Sequence, residues 1–365
     1  MKICQIAYSG FGGHGSVVFS LITADSSHIH DWSVGFVGDQ DLNSEYHERC
    51  VSLNIEYRAF KLAPGYSYTS WLPLFAWLSK IKPDVVVCHS ISSILACRWY
   101  ASIYGAGLVA VEHTPNKIKV PSEWLASRLS MLLADRIVVL TSEYYEELRG
   151  AHGWMFKQDK VCIISNGIDT LHFLPRSDDL MHAGLIRLGM AARFSVSKRQ
   201  DLLVGLMSKL NDLRPDLSFE LRLAGDGSEM LRVQSLCQVS PIALQIHFDG
   251  LLNEHQLVEW FHTLDIYVHA TDGETLSTSL LQAMSAGLPI VASAIPGVSN
   301  LLGTNGEYGL CATNDVEAFA KSIITCIDSD LLRNELGARA RARVLSHYSN
   351  NVMLKRYLDL ISECH

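Results

Sequence analysis

The apolar residues of this chain fall into short dense runs, separated by longer stretches in which they recur every three or four positions. Runs at 3–7, 32–37, 85–88, 108–111, 137–140 and 161–164 occupy the first half, and runs at 186–191, 219–224, 246–248, 266–269, 290–292 and 309–311 the second. Such near-continuous runs, ended by Gly, Asp or Ser, are the signature of strands buried on both faces. Their alternation with helix-period stretches predicts an α/β protein with parallel, doubly wound sheets. The pattern restarts after Asn166-Gly167-Ile168-Asp169 and a loop through Pro175, Ser177 and Asp178, so the reading is of two domains, 1–170 and 184–350. A last amphipathic stretch near 351–361 predicts a helix, and the fold class, rather than the pattern itself, sends 351–365 back to the first domain. Open α/β sheets bind ligands at the carboxyl ends of their strands, so the expected place for a ligand is a cleft between the domains.

Composition narrows the function classes. The chain has 365 residues, 48% apolar and 19% charged, enough to bury a core in each half. Its net charge of −8 argues against a general nucleic-acid binder. Nine cysteines, an odd number with no Cys-x-x-Cys pair, argue against a disulfide framework and a zinc site, and for a reduced, cytoplasmic setting. No apolar stretch reaches the roughly 18 residues of a membrane span, and the opening Met1-Lys2-Ile3-Cys4 reads as a buried strand rather than a secretory signal. The segment 66–78 carries Trp71, Leu72, Leu74, Phe75, Trp77 and Leu78, which suits a core helix or a helix lying on a membrane. Only Lys80 and Lys82 follow it, which favours the core.

Several loops carry candidate chemistry. Gly10-Phe11-Gly12-Gly13-His14-Gly15 satisfies a GxGxxG pattern after a strand, and Asp39 follows the second strand, so a nicotinamide-dependent oxidoreductase is one reading. A tight turn is another, because glycine is the default residue where backbone is strained. In the second half Arg193 and Lys198 share one βα loop, and two cations there suit a diphosphate, Arg as a bidentate fork and Lys as a point charge. Either cation alone reads as a solvated surface residue. Further on, Thr271-Asp272-Gly273-Glu274 leads into a helix capped by Thr275 or Ser277 and ended by Gly287. The amino terminus of such a helix favours an anion, and Glu274 just before it can grip sugar hydroxyls. His269 reads as a strand-end packing residue. No GxSxG elbow or nucleophilic triad is present.

Arg193 with Lys198, Gly225-Asp226-Gly227, Phe248-Asp249-Gly250 and the stretch from Glu274 through Ala286-Gly287-Leu288-Pro289 together resemble the retaining GT-B glycosyltransferases of family 4. The resemblance extends to the first glycine loop, to Glu112-His113-Thr114 and to Asn166-Gly167-Ile168-Asp169, and so spans most of the chain. It implies two Rossmann-like domains, the first binding an acceptor and the second a nucleotide-sugar donor, with a UDP-sugar favoured and neither metal nor other cofactor required. It places Arg193 and Lys198 on the diphosphate, with backbone N–H groups of Thr275, Leu276 and Ser277. Gly250, Leu251 and Leu252 would lie near the base, Glu274 on the sugar, His113 near the reacting centre, and Gly12 and Gly13 over the phosphates. The implied reaction is transfer with retention to a hydroxyl of a glycan or lipid-linked saccharide, in bacterial cell-surface polysaccharide synthesis. If the 66–78 segment does lie on a membrane, the N-terminal domain would make peripheral contact with its inner face.

One position departs from the family. The second acid of its Glu-x7-Glu motif, expected on the ribose hydroxyls, is Gln282 here. An amide still donates and accepts, but it forgoes a charge-assisted bond worth about 1.5–3 kcal/mol for a neutral one worth roughly 0.5–1.5. Weaker ribose binding is expected. A nucleotide-sugar epimerase and a non-catalytic partner subunit stand beside the oxidoreductase as alternatives.

Overall fold

Strands form where β-branched and aliphatic residues leave no polar face: Val85–Cys88 and Gly107–Glu112 are buried at every position. The computed structural model describes residues 1–10, 13–62, 71–114, 116, 119–176, 184–238, 242–274, 276–303 and 305–364. They form two units, Met1–Gly167 with Asn350–His365, and Ile168–Ser349.

The strands of the first unit are β1 (Lys2–Tyr8), β2 (Asp31–Gly38), β3 (Glu56–Lys61), β4 (Val85–Cys88), β5 (Gly107–Glu112), β6 (Arg136–Val139) and β7 (Val161–Ile163). All pair in parallel, in the order β3-β2-β1-β4-β5-β6-β7, with Lys2 opposite Asp31 and Ile3 opposite Val85. The helices are α1 (Gly13–Ala24), α2 (Ser44–Ser52), α3 (Trp71–Ile81), α4 (Ile94–Tyr104), α5 (Pro121–Leu133) and α6 (Ser142–His152). In the second unit the strands are β8 (Leu185–Ala191), β9 (Ser218–Ala224), β10 (Ile246–Gly250), β11 (Ile266–His269), β12 (Ile290–Ser293) and β13 (Leu310–Ala312), again parallel, in the order β10-β9-β8-β11-β12-β13. Its helices are α7 (Gln200–Leu213), α8 (Met230–Gln238), α9 (Glu254–His262), α10 (Thr278–Ser285), α11 (Pro296–Leu302), α12 (Val316–Ile327) and α13 (Asp330–His347). A final helix, α14 (Asn350–Ser362), belongs to the first unit.

β3 is absent from the sequence reading. Its Glu-Tyr-Arg-Ala-Phe-Lys alternates at the edge of the sheet with only Phe60 buried, so it lacks the dense apolar run of the inner strands. The division between units falls after Gly167, inside Asn166-Gly167-Ile168-Asp169. Residues 168–173 pack with the second unit, because the Ile168 N–H donates to Tyr348 O at 2.9 Å and Ile168 and Phe173 are buried beside Leu280 and Leu281.

The return of the chain through α14 has a packing reason. Met353, Leu354, Tyr357, Leu360 and Ile361 form its buried stripe and join Val17, Val18 and Leu21 of α1 in one core. Each such side chain contributes roughly 1.5–3 kcal/mol when fully buried. Gly15 of α1 serves the same packing: a Cβ there would lie 2.1 Å from the Tyr46 ring, which stacks on Phe36. Of the aromatic stretch, residues 66–70 lie outside the described residues, and α3 buries Leu74, Trp77 and Leu78 in the first unit's core. Among the described residues no helix is long and apolar enough to cross a membrane.

Candidate functional site

The strand order of the second unit reverses between β8 and β11, and loops leaving the carboxyl ends of two such neighbours diverge and leave a crevice. The loop after β8 carries Arg193 and Lys198, and the loop after β11 carries Glu274. The two loops are stitched together. Arg199 N–H donates to Ala270 O at 3.0 Å, Asp272 N–H to Ser197 O at 2.8 Å, and Lys198 forms an antiparallel bridge with Thr271. Behind them Asn314 Nδ2 donates to Thr271 O at 2.9 Å and to Asp272 Oδ1 at 2.8 Å, while Ser293 Oγ accepts from Thr271 N–H at 2.8 Å. Gly225 supports the other end of the first loop. Its φ of +133° suits only glycine, and a Cβ would lie 2.1 Å from the Ala192 carbonyl oxygen.

This scaffold brings Lys198 and Glu274 into contact: Lys198 Nζ donates to Glu274 Oε2. The same oxygen lies 3.3 Å from His269 Nε2. Both partners of the ion pair are largely sheltered, with side-chain exposures of 15% and 17%. Burial pulls the Glu274 carboxyl upward, but the His269 hydrogen bond and the Lys198 charge outweigh it and hold the group down at about 2. Burial also pushes His269 below the ordinary imidazole range, against the raising effect of Glu274. Arg193 is exposed, and its guanidinium forms no ion pair with a described residue.

Of the two cap candidates, Ser277 is the N-cap of α10, its Oγ accepting from Leu280 N–H at 3.3 Å; Thr275 lies outside the described residues. The first-turn N–H groups of a helix have no intrahelical acceptors, so this terminus can meet an anion. Leu276 precedes the cap and Gln282 lies half-buried in the body of α10. At the end of β10, Gly250 has φ +70° and Leu251 is 77% exposed, with Leu252 half-buried beside it. Asp249 anchors that turn by a bidentate pair with Arg222 at 2.7 and 3.1 Å and by Trp260 Nε1 at 2.7 Å.

In the first unit His113 follows β5. Its Nε2 lies 2.8 Å from His89 Nδ1, and His89 Nε2 lies 2.7 Å from Gln5 Oε1. The turn that begins at His113 is tied from beneath. Glu112 and Lys119, both fully buried, form an ion pair at 2.9 Å, and Tyr144 Oη donates within 3.1 Å of Glu112 and 2.7 Å of Thr114 O. Lys119 also donates to Ser127 Oγ at 3.2 Å, which bonds His152 Nε2 at 3.0 Å. Burial first, and then the Glu112 charge, raise the Tyr144 phenol. Gly12 lies outside the described residues, and Gly13 opens α1. Asp39, which a nicotinamide fingerprint would aim at a ribose, is held by Tyr8 Oη at 2.9 Å.

His269, Gln5, His89 and Lys119 were not singled out from the sequence, apart from His269 as packing. It does sit at a strand end and is fully buried, but its ring also holds Glu274. The available signal was polarity out of place: a histidine ending Ile-Tyr-Val-His and a glutamine within Lys-Ile-Cys-Gln-Ile-Ala-Tyr, both otherwise apolar runs.

Two doubly wound parallel sheets in one chain define the GT-B class of fold. HepE from Anabaena, solved in complex with UDP, shares it across the full length of both chains, with a TM-score of 0.81 at 18% identity. Residues 186–329 match the family of glycosyl transferases group 1, and residues 11–171 match Glycosyltransferase Family 4. The chain belongs to the group 1, family 4 glycosyltransferases. Its sequence is similar to the D-inositol 3-phosphate glycosyltransferase of Streptomyces avermitilis, 25% identical over 68% of this chain and 58% of that protein. An exopolysaccharide phosphotransferase of Streptomyces coelicolor is 27% identical over 90% of this chain. The chain spans only 33% of that protein's length.

Proposed function

We propose that the chain transfers a sugar from a nucleotide-sugar, a UDP-sugar first, to a hydroxyl of a glycan or lipid-linked saccharide in the assembly of a cell-surface polysaccharide. The observation that carries this reading is the contact between Lys198 and Glu274 at the β8–β11 switch point, beside the amino terminus of α10. It pairs a cation suited to a diphosphate with a carboxylate suited to sugar hydroxyls. Arg193, Lys198 and the N–H groups of Thr275, Leu276 and Ser277 would take the diphosphate. Gly250, Leu251 and Leu252 would lie by the base, Gln282 by the ribose, and Gly12, Gly13 and His113 would act from the first unit. UDP is the first nucleotide to test because the similarly folded Anabaena protein was solved with it.

In the proposed step the anomeric C–O bond to phosphate breaks, and its electron pair leaves with the nucleoside diphosphate. The acceptor oxygen bonds to the anomeric carbon on the same face and passes its proton to the departing diphosphate. Arg193, Lys198 and the helix terminus stabilise the growing diphosphate charge, the task a divalent metal performs in other enzymes. Incubation with UDP-, GDP- and ADP-sugars and saccharide acceptors, with and without EDTA, tests the reading. A new α- or β-glycoside matching the donor's own anomeric configuration is expected, undiminished by EDTA. Free or epimerised sugar formed without acceptor would contradict it.

A further inference from the structure

We propose that His269 is a positioning residue for Glu274, and that it sets how strongly the site holds a nucleotide-sugar relative to the bare nucleoside diphosphate. The role rests on the donor reading above. His269 ends β11, where Ile266, Tyr267 and Val268 are all buried, and its own exposure is 0%. An imidazole at such a place must have its polar edges met, because an unpaired buried polar group is costly. Both edges are met. Nε2 faces Glu274 Oε2 at 3.3 Å and Nδ1 faces Tyr267 Oη at 3.4 Å, with the two rings stacked at 6.1 Å.

These partners dictate the tautomer. A neutral imidazole has one N–H, and an ionised carboxylate can only accept, so the proton belongs on Nε2. Nδ1 is then the acceptor, and Tyr267 Oη supplies the hydroxyl beside it. That hydroxyl also accepts from the Ala191 N–H at 3.4 Å at the end of β8 and lies 3.1 Å from Ser279 Oγ in the first turn of α10. The chain Tyr267–His269–Glu274 therefore ties the carboxylate to β8, to β11 and to α10, the three elements that border the site.

The need for such a tie follows from Lys198. Lys198 and His269 share Oε2 of Glu274. A diphosphate arriving at Lys198 competes for its ammonium, so the carboxylate at that moment loses one of the groups that hold it. His269, fixed in the sheet and uncharged, stays on the carboxylate and keeps it aimed. The bond concerns only the ligand's sugar, since Glu274 takes no part in gripping the phosphates.

The test compares His269→Gln, whose amide N–H reaches toward the position of Nε2, with His269→Asn, whose shorter amide does not. Calorimetric titration is run with UDP-glucose, GDP-mannose and ADP-glucose and with UDP, GDP and ADP, taking the pair that wild type binds best. His269→Asn is expected to weaken the nucleotide-sugar about tenfold while the matching nucleoside diphosphate changes less than about twofold, and His269→Gln to restore the sugar ligand to within about threefold of wild type. His269→Leu supplies the same comparison should the Asn variant not fold. Equal losses for both ligands, or none for either, would overturn the positioning role. Wild type binding none of the six would overturn the donor reading and this role with it.

Discussion

Lys198→Ala is expected to lower the rate of sugar transfer by about 10²–10³-fold, the usual loss when one preorganised group facing developing charge is removed. In the proposed step the ammonium faces the departing nucleoside diphosphate, and its main chain is fixed by the bridge to Thr271 and by the Asn314 and Ser293 bonds behind it. That rigidity makes the charge preorganised, so no reorganisation offsets its removal. Loss of Lys198 also removes one of the two side chains that hold Glu274 near 2, leaving burial less opposed. The carboxyl then protonates at a higher pH, and the acid side of the variant's pH–rate profile should shift upward. Lys209→Ala, which breaks a pair between Lys209 of α7 and Glu317 of α12, is the control and should transfer at the wild-type rate. A Lys198→Ala enzyme with a near-normal rate would remove Lys198 from the site.

The largest expected effect on stability lies in the first unit. Lys119→Met should cost about 3–5 kcal/mol, because it strands the Glu112 carboxylate at 0% exposure without its countercharge. Tyr144 would remain as a donor to Oε2, but Oε1 already has no hydrogen-bond partner among the described residues. The double variant Glu112→Gln with Lys119→Met removes both charges and should recover much of that loss, since buried ion pairs add little beyond apolar replacements of the same shape. Urea denaturation of the wild type, both single variants and the double variant measures the coupling. A cost under about 1 kcal/mol for Lys119→Met would mean that water reaches the pair.

What the sequence disclosed depended on how local each feature is. Inner strands such as β4 and β5 were legible because burial on both faces leaves a contiguous apolar run, while β3 was not, because an edge strand can stay polar. The Ser277 cap was legible as one of two candidates, since capping is a contact within a single turn. The apolar stripe of α14 identified a helix but not its partner, because any core accepts such a stripe; only the fold class pointed to the first unit. The links behind the candidate residues were illegible. His89 meets Gln5 across 84 positions, and Lys198 meets Glu274 across 76. Such pairs exist only once the β8 and β11 loops, or β1 and β4, lie side by side. Arg193 and Glu274 could be named from resemblance, but nothing in it announced that the carboxylate is shared between a lysine and a buried histidine.

The most direct test of a donor site on the second unit is a crystal structure of the chain with its best-bound nucleoside diphosphate. The expected density places the two phosphates against Lys198 Nζ and the first turn of α10, with Arg193 turned onto them and the base by Gly250 and Leu251. Density for the nucleotide elsewhere, with the β8–β11 edge empty and Lys198 still on Glu274, would contradict the account.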